Sequence, residues 1–199
     1  MPPLLEAYNY GGLWGWSNSI LGPLGVFALG NTTTATNVYT YSGNTVVAGT
    51  ALTADLEYGA AAGTPTLGVF ALGGATTATN VYTYSGNTVV AGTALTATLN
   101  EGAAAGTSTL GVFAIGGITT TTNVYTYSGN TVVAGTALTA DVNGGAAAGT
   151  STLGVFAIGG ITTTTNVYTY SGNTVVAGTA LTGDVNGGAA AGNYNGGLA

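Results

Sequence analysis

The chain is expected to be all-β, four copies of one small sheet gathered about a common centre, and three observations carry that expectation. The string Gly-Val-Phe-Ala-(Leu/Ile)-Gly begins at Gly25, Gly68, Gly111 and Gly154, always 43 residues apart. Each copy sorts into four short segments rich in Val, Thr, Tyr or Ala, set apart by glycine, asparagine and threonine turns. No window sustains a helical period, and Thr, Val, Tyr and Gly all disfavour one. Four short strands in a unit of about 40 to 50 residues is the pattern of a propeller blade, since solenoid rungs are usually shorter. The prediction is a small β-propeller of about four blades, with an open β array or a β-solenoid completed by oligomerisation as the alternative.

A Trp/Tyr-rich segment (1–23) precedes four repeats (24–66, 67–109, 110–152 and 153–192) and a short tail (193–199). In the third copy the strands are predicted at Leu110–Ile115, Asn123–Tyr127, Thr131–Leu138 and Ala146–Ala148 with its flanks. Tyr127-Ser128-Gly129-Asn130-Thr131 reads as a tight hairpin connection, because Gly129 and Asn130 tolerate the positive φ such turns demand. Gly116-Gly117 marks a place where the backbone bends sharply or is approached closely. The frame also lets Ala189-Ala190-Ala191 pair beside Leu24–Leu29, completing one blade with strands from both termini.

These units resemble kelch repeats. An apolar strand ends in a double glycine (Gly73-Gly74, Gly116-Gly117, Gly159-Gly160; Gly30-Asn31 in the first copy), and an Asn then precedes a strand bearing Tyr84, Tyr127 or Tyr170. Six residues beyond the tyrosine, where kelch blades usually carry Trp, stand Val47, Val90, Val133 and Val176. The wording Leu-Gly-Val-Phe-Ala, Tyr-Thr-Tyr-Ser-Gly-Asn-Thr-Val-Val-Ala-Gly-Thr-Ala-Leu and Ala-Ala-Ala-Gly is similar to kelch-like arrays of bacteriophage and bacterial surface proteins. Those arrays place an Arg where this chain has Leu56, Leu99, Val142 and Val185. The resemblance spans about residues 24–192 and implies a propeller fold and a place on a virion or a cell surface.

Composition narrows the chemistry. The 199 residues include no Lys, Arg, His or Cys, and the six carboxylates (Glu6, Asp55, Glu57, Glu101, Asp141, Asp184) leave a formal charge of −6. The chain supplies no Ser-His or Cys-His nucleophile, Schiff-base lysine, Cys/His zinc site or arginine clamp. An anionic surface without cations is repelled by phosphate backbones, so no nucleic-acid partner is expected. No cofactor, metal, secretory signal or membrane span is expected either, the apolar runs being far shorter than the roughly 20 residues a membrane helix needs. Strands this short, without polar–apolar alternation, also disfavour an outer-membrane barrel.

The sites that remain are the loops after each Ala-Leu-Thr, which vary most between copies: Asp55, Glu57 and Tyr58; Asn100 and Glu101; Asp141 and Asn143; Asp184 and Asn186. Variable loops on a repeated scaffold are where recognition usually resides. Asp141-Val142-Asn143-Gly144 has the start of a calcium loop but lacks its closing Glu, and a plain turn explains it as well. Asp55 and Glu57 are the one carboxylate pair conceivable for glycoside hydrolysis, with nothing beside them in sequence to assist. The tyrosine pairs Tyr39/Tyr41, Tyr82/Tyr84, Tyr125/Tyr127 and Tyr168/Tyr170 each project to one strand face, where they either pack between blades or present a glycan-binding surface. The Thr119–Thr122 and Thr162–Thr165 runs alternate faces, which suits neutral loops better than a flat ice-binding plane. A neutral surface with edge strands unguarded by lysine favours association. The expectation is therefore a non-enzymatic structural protein of a virion or surface assembly, such as a tail fibre, a capsid decoration or a filament. Its partners are then itself or other structural proteins. The alternative is a module binding a host glycan or receptor through those loops.

Overall fold

The computed structural model describes residues 24–30, 32–74, 76–188 and 190. Strands alternate with turns in one repeated order among these residues. The first sheet holds β1 (Leu24–Ala28), β2 (Thr36–Thr40) and β3 (Thr45–Gly49). The second holds β4 (Ala60–Gly63), β5 (Leu67–Ala71), β6 (Thr79–Thr83) and β7 (Thr88–Ala91). The third holds β8 (Ala103–Gly106), β9 (Leu110–Ala114), β10 (Thr122–Thr126) and β11 (Thr131–Ala134). The fourth holds β12 (Ala146–Gly149), β13 (Leu153–Ala157), β14 (Thr165–Thr169) and β15 (Thr174–Ala177). Every sheet is an antiparallel meander in sequence order. The predicted all-β class, with four repeated blade-like sheets, is what the chain forms.

Sheet and sequence repeat are out of phase. The Ala-Ala-Ala-Gly strand that closes repeat 24–66 pairs with the strand opening the next repeat, Ala60 opposite Ala71 and Gly63 opposite Gly68. A short loop fixes this: Thr64 N–H donates to Leu67 O at 2.8 Å, and Leu67 N–H donates to Thr64 Oγ1 at 3.0 Å. The predicted pairing of Ala189–Ala191 beside β1 lies outside the described residues.

The third strand is shorter than predicted, ending at Ala134 and not Leu138. After Gly135 N–H donates to Thr122 O, the chain turns away; Leu138 N–H then donates to Thr120 O, both at 2.9 Å. That turn drops the Leu138 side chain into the core, so its burial comes from a loop and not from a strand face.

Three buried clusters hold the sheets together, one at each junction between neighbours. At the first, Val38 and Leu52, with Leu24, Val26 and Ala28, meet Phe70, Leu72, Tyr82 and Tyr84 of the second sheet. The same positions recur at the second junction, where Val69, Ala71 and Leu95 meet Phe113, Ile115, Tyr125 and Tyr127. They recur again where Val112, Ala114, Val124 and Leu138 meet Phe156, Ile158, Tyr168 and Tyr170. At every junction the earlier sheet thus presents an aliphatic face and the later sheet an aromatic one. Burying one such Phe or Leu contributes about 1.5–3 kcal/mol.

Candidate functional site

The variable loops lie where one sheet hands the chain to the next. Backbone bonds pin the first three beside the double glycine of the following sheet: Glu57 N–H donates to Leu72 O, Asn100 N–H to Ile115 O and Asn143 N–H to Ile158 O, at 2.9, 2.9 and 3.0 Å. Glu57 and Gly73, and likewise Asn143 and Gly159, form parallel bridges. This is why the first glycine of each pair has no side chain. Gly116 has φ +73°, and a Cβ there would overlap the carbonyl oxygen of Asn100.

At the loop tip the chain again enters the left-handed region. Tyr58, Glu101, Gly144 and Gly187 occupy equivalent positions with φ of +55°, +54°, +60° and +64°. Gly144 N–H donates to Glu101 O at 3.1 Å, and Gly187 N–H donates to Gly144 O at 2.7 Å. These bonds stand the loops of Asn100–Glu101, Asp141–Asn143 and Asp184–Asn186 side by side. No such bond joins the Asp55–Tyr58 loop to them among the described residues.

Asp55, Glu57, Tyr58, Asn100, Asp141, Asn143, Asp184 and Asn186 are exposed and Glu101 is half-buried. The result is a solvent-facing acidic cluster of loops; among the described residues no three carboxylates converge as a metal ligand set would. Beneath the loops lie the positions where the resemblance implied Arg. Leu99 and Val142 are fully buried, each in the cluster of its own junction, and Leu56 packs against the cluster of the first, so aliphatic groups plug the space below these three loops. The valines in place of Trp sit on the outer strands, and Val47, Val90, Val133 and Val176 are all exposed.

The tyrosines resolve toward packing in the last three sheets. Tyr82, Tyr125 and Tyr168 are fully buried, each tilted against its partner (Tyr125 and Tyr127 centroids 6.1 Å apart) and edge-on to the phenylalanine of its sheet. Burial pushes the hydroxyl of Tyr127 well above the ordinary phenol range and that of Tyr170 up to about 12.

The asparagines of the Gly-Asn turns, expected only for their turn chemistry, have a second role that was not foreseen. Of the Gly-Asn pair, it is Asn that takes positive φ (Asn87 +47°, Asn130 +46°, Asn173 +47°). Its side-chain oxygen accepts from the buried tyrosine hydroxyl of its own sheet and from a threonine N–H of the sheet before: Thr50 on Asn87, Thr93 on Asn130 and Thr136 on Asn173, at 2.9, 3.0 and 3.0 Å. A second latch runs from Thr53, Thr96 and Thr139 N–H to the Oδ1 of Asn80, Asn123 and Asn166, each at 2.8 Å. The signal available was the recurrence of these Thr and Asn positions at every repeat.

Comparison with solved structures then decides the architecture. The structure of YjhT matches with a TM-score of 0.69 over 85% of this chain, at 10% sequence identity. The fold is that of a kelch-repeat β-propeller. The match covers 66% of the YjhT chain, so this protein spans just under two thirds of that length. No family model and no curated protein matches the sequence. Solved chains matching this kelch-type array number 181, so the architecture by itself selects no ligand.

Proposed function

We propose that this kelch-type array is a non-enzymatic structural piece of a virion or surface assembly. The observation that carries the reading is its surface. Among the described residues the outer strands β3, β7, β11 and β15 are unpaired edges on which no charged residue stands, and each presents an exposed valine. Natural sheets blunt such edges with lysine, proline or bulges, and a protein that leaves them bare is suited to permanent contact. Ile118 and Ile161, almost fully exposed after the double glycines, add apolar tips. The absence of imidazole, amine, guanidinium and thiol from the sequence supports a role without catalysis. Purifying the particles or surface layers of the source and probing them with an antibody to this chain tests the reading. Stoichiometric incorporation is expected, and a chain found only free in solution contradicts it.

A second reading is favoured by one observation, the loops of Glu101, Asn143 and Asn186 standing side by side. An acidic, cation-free rim of this kind suits neutral glycans or basic protein surfaces and repels sialylated or sulfated ones within a Debye length of about 8–10 Å. A glycan array with neutral-sugar signal lost on exchanging residues 141–143 supports it; a blank array removes it.

A further inference from the structure

Each junction between neighbouring sheets is built from the same two halves, and among the described residues the two end sheets each keep one half uncovered. On the first sheet the aromatic face is open: Phe27 is 55% exposed, whereas Phe70, Phe113 and Phe156 are at 5%, 0% and 0%. Leu29, Tyr41 and Val46 beside it are exposed as well. On the fourth sheet the aliphatic face is open: Val155 is 38% exposed where Val69 and Val112 are at 0%, and Leu181 is 40% exposed where Leu52, Leu95 and Leu138 are each at 4%.

The polar latches are halved in the same way. Asn37 and Asn44 hold the acceptor positions on the first sheet, and Thr179 and Thr182 the donor positions on the fourth. Among the described residues, neither threonine donates across a junction and neither asparagine accepts from one. Packing repeats the pattern: a Cβ on Gly49, Gly92 or Gly135 would crowd the tyrosine hydroxyl of the next sheet at 2.7–2.8 Å, while Gly178 faces no tyrosine. Among the described residues the first sheet also has three strands where the others have four. The sequence repeats the innermost-strand motif once more at residues 189–192, 43 residues after β12.

We propose that a second copy of the chain docks head to tail, its Val155 face on the Phe27 face of the first, reproducing the internal junction between chains. The occupant follows from identity: the open aromatic face carries the residues that meet the aliphatic face inside the chain, and among the described residues of one copy nothing packs on either face. Such a contact is heterologous. It closes as a two-copy ring of eight sheets or runs on as a filament. This inference rests on the reading of the chain as an assembly piece and names its partner.

Native mass spectrometry and sedimentation velocity of the full chain test it. The wild type is expected at twice its 19.2 kDa or above. Phe27→Asp and Val155→Asp, both at positions exposed in a single copy, are each expected to weaken association about 100-fold or more with unchanged far-UV circular dichroism. Mixed one to one, the two variants retain one intact half each and form a dimer that grows no further. A wild-type monomer at the highest soluble concentration, or a mixture that stays monomeric, overturns the proposal. A chain that dimerises but joins no particle removes the assembly role and leaves the junction standing; a monomer that still joins particles does the reverse.

Discussion

Tyr127 and Tyr170 are the residues least at ease in the core. Their hydroxyls are buried with no hydrogen-bond partner among the described residues, each wedged against two glycines, Gly106 and Gly111 or Gly149 and Gly154. An unpaired buried hydroxyl costs about 1–3 kcal/mol, so Tyr127→Phe is expected to raise stability by about 1 kcal/mol in chemical denaturation. The same burial sets a pH dependence. A phenol held above its unfolded value of 10.0 stays protonated in the native state while the unfolded chain ionises. Stability is therefore complete below pH 10 and lost as pH rises toward about 12. Tyr170→Phe is expected to flatten that alkaline loss. Strain is stored at Glu101 too, whose φ of +54° is one that L side chains adopt at about 1–2 kcal/mol cost. Since Gly144 and Gly187 fill the equivalent positions, Glu101→Gly is expected to raise the melting midpoint, and an unchanged or lower midpoint contradicts the strain.

At the scale of elements, the latch explains why Asn recurs. Asn123 is fully buried, accepts from Thr96 N–H and donates through Nδ2 to Thr96 Oγ1 at 2.8 Å and to Thr122 O at 2.9 Å. Asn123→Ala strands those partners and is expected to cost about 2 kcal/mol. Asn37→Ala, at the equivalent position with no sheet before it among the described residues, is expected to cost under about 0.5 kcal/mol in dilute solution. Equal losses at the two positions argue that the asparagine serves its own strand and not the junction. The strand count, the hairpin and the close approach at the double glycine were legible because turn chemistry and period are local. What was not legible is what depends on neighbours: the end of β11 at Ala134, the phase of β4, and the burial of Leu99 and Val142 under the loops. Nothing in Asp141-Val142-Asn143 taken alone says that its middle residue points inward.

At the scale of the molecule, the three buried clusters of the described residues each join one sheet to the next, as in other repeat arrays whose stability sums over units and their junctions. Deleting residues 110–152 joins Thr109 to Leu153 in register and is expected to leave a three-sheet chain that still unfolds cooperatively, at a lower midpoint. The 43-residue repeat made this modularity readable from the start. Whether the ring closes was beyond it, because that depends on the small rotation between sheets, which no single residue encodes.

The central claim, neighbouring sheets packed face to face with Thr-to-Asn latches, is tested most directly by cross-linking in a chain that has no cysteine of its own. Thr93→Cys with Asn130→Cys places one thiol on each side of the second junction, whereas Val90→Cys with Val133→Cys joins equivalent positions one repeat apart on separate outer strands. A short bismaleimide is expected to couple the first pair within one chain and to leave the second uncoupled. Coupling of Val90 to Val133, as stacked coils about 4.8 Å apart would give, contradicts the account.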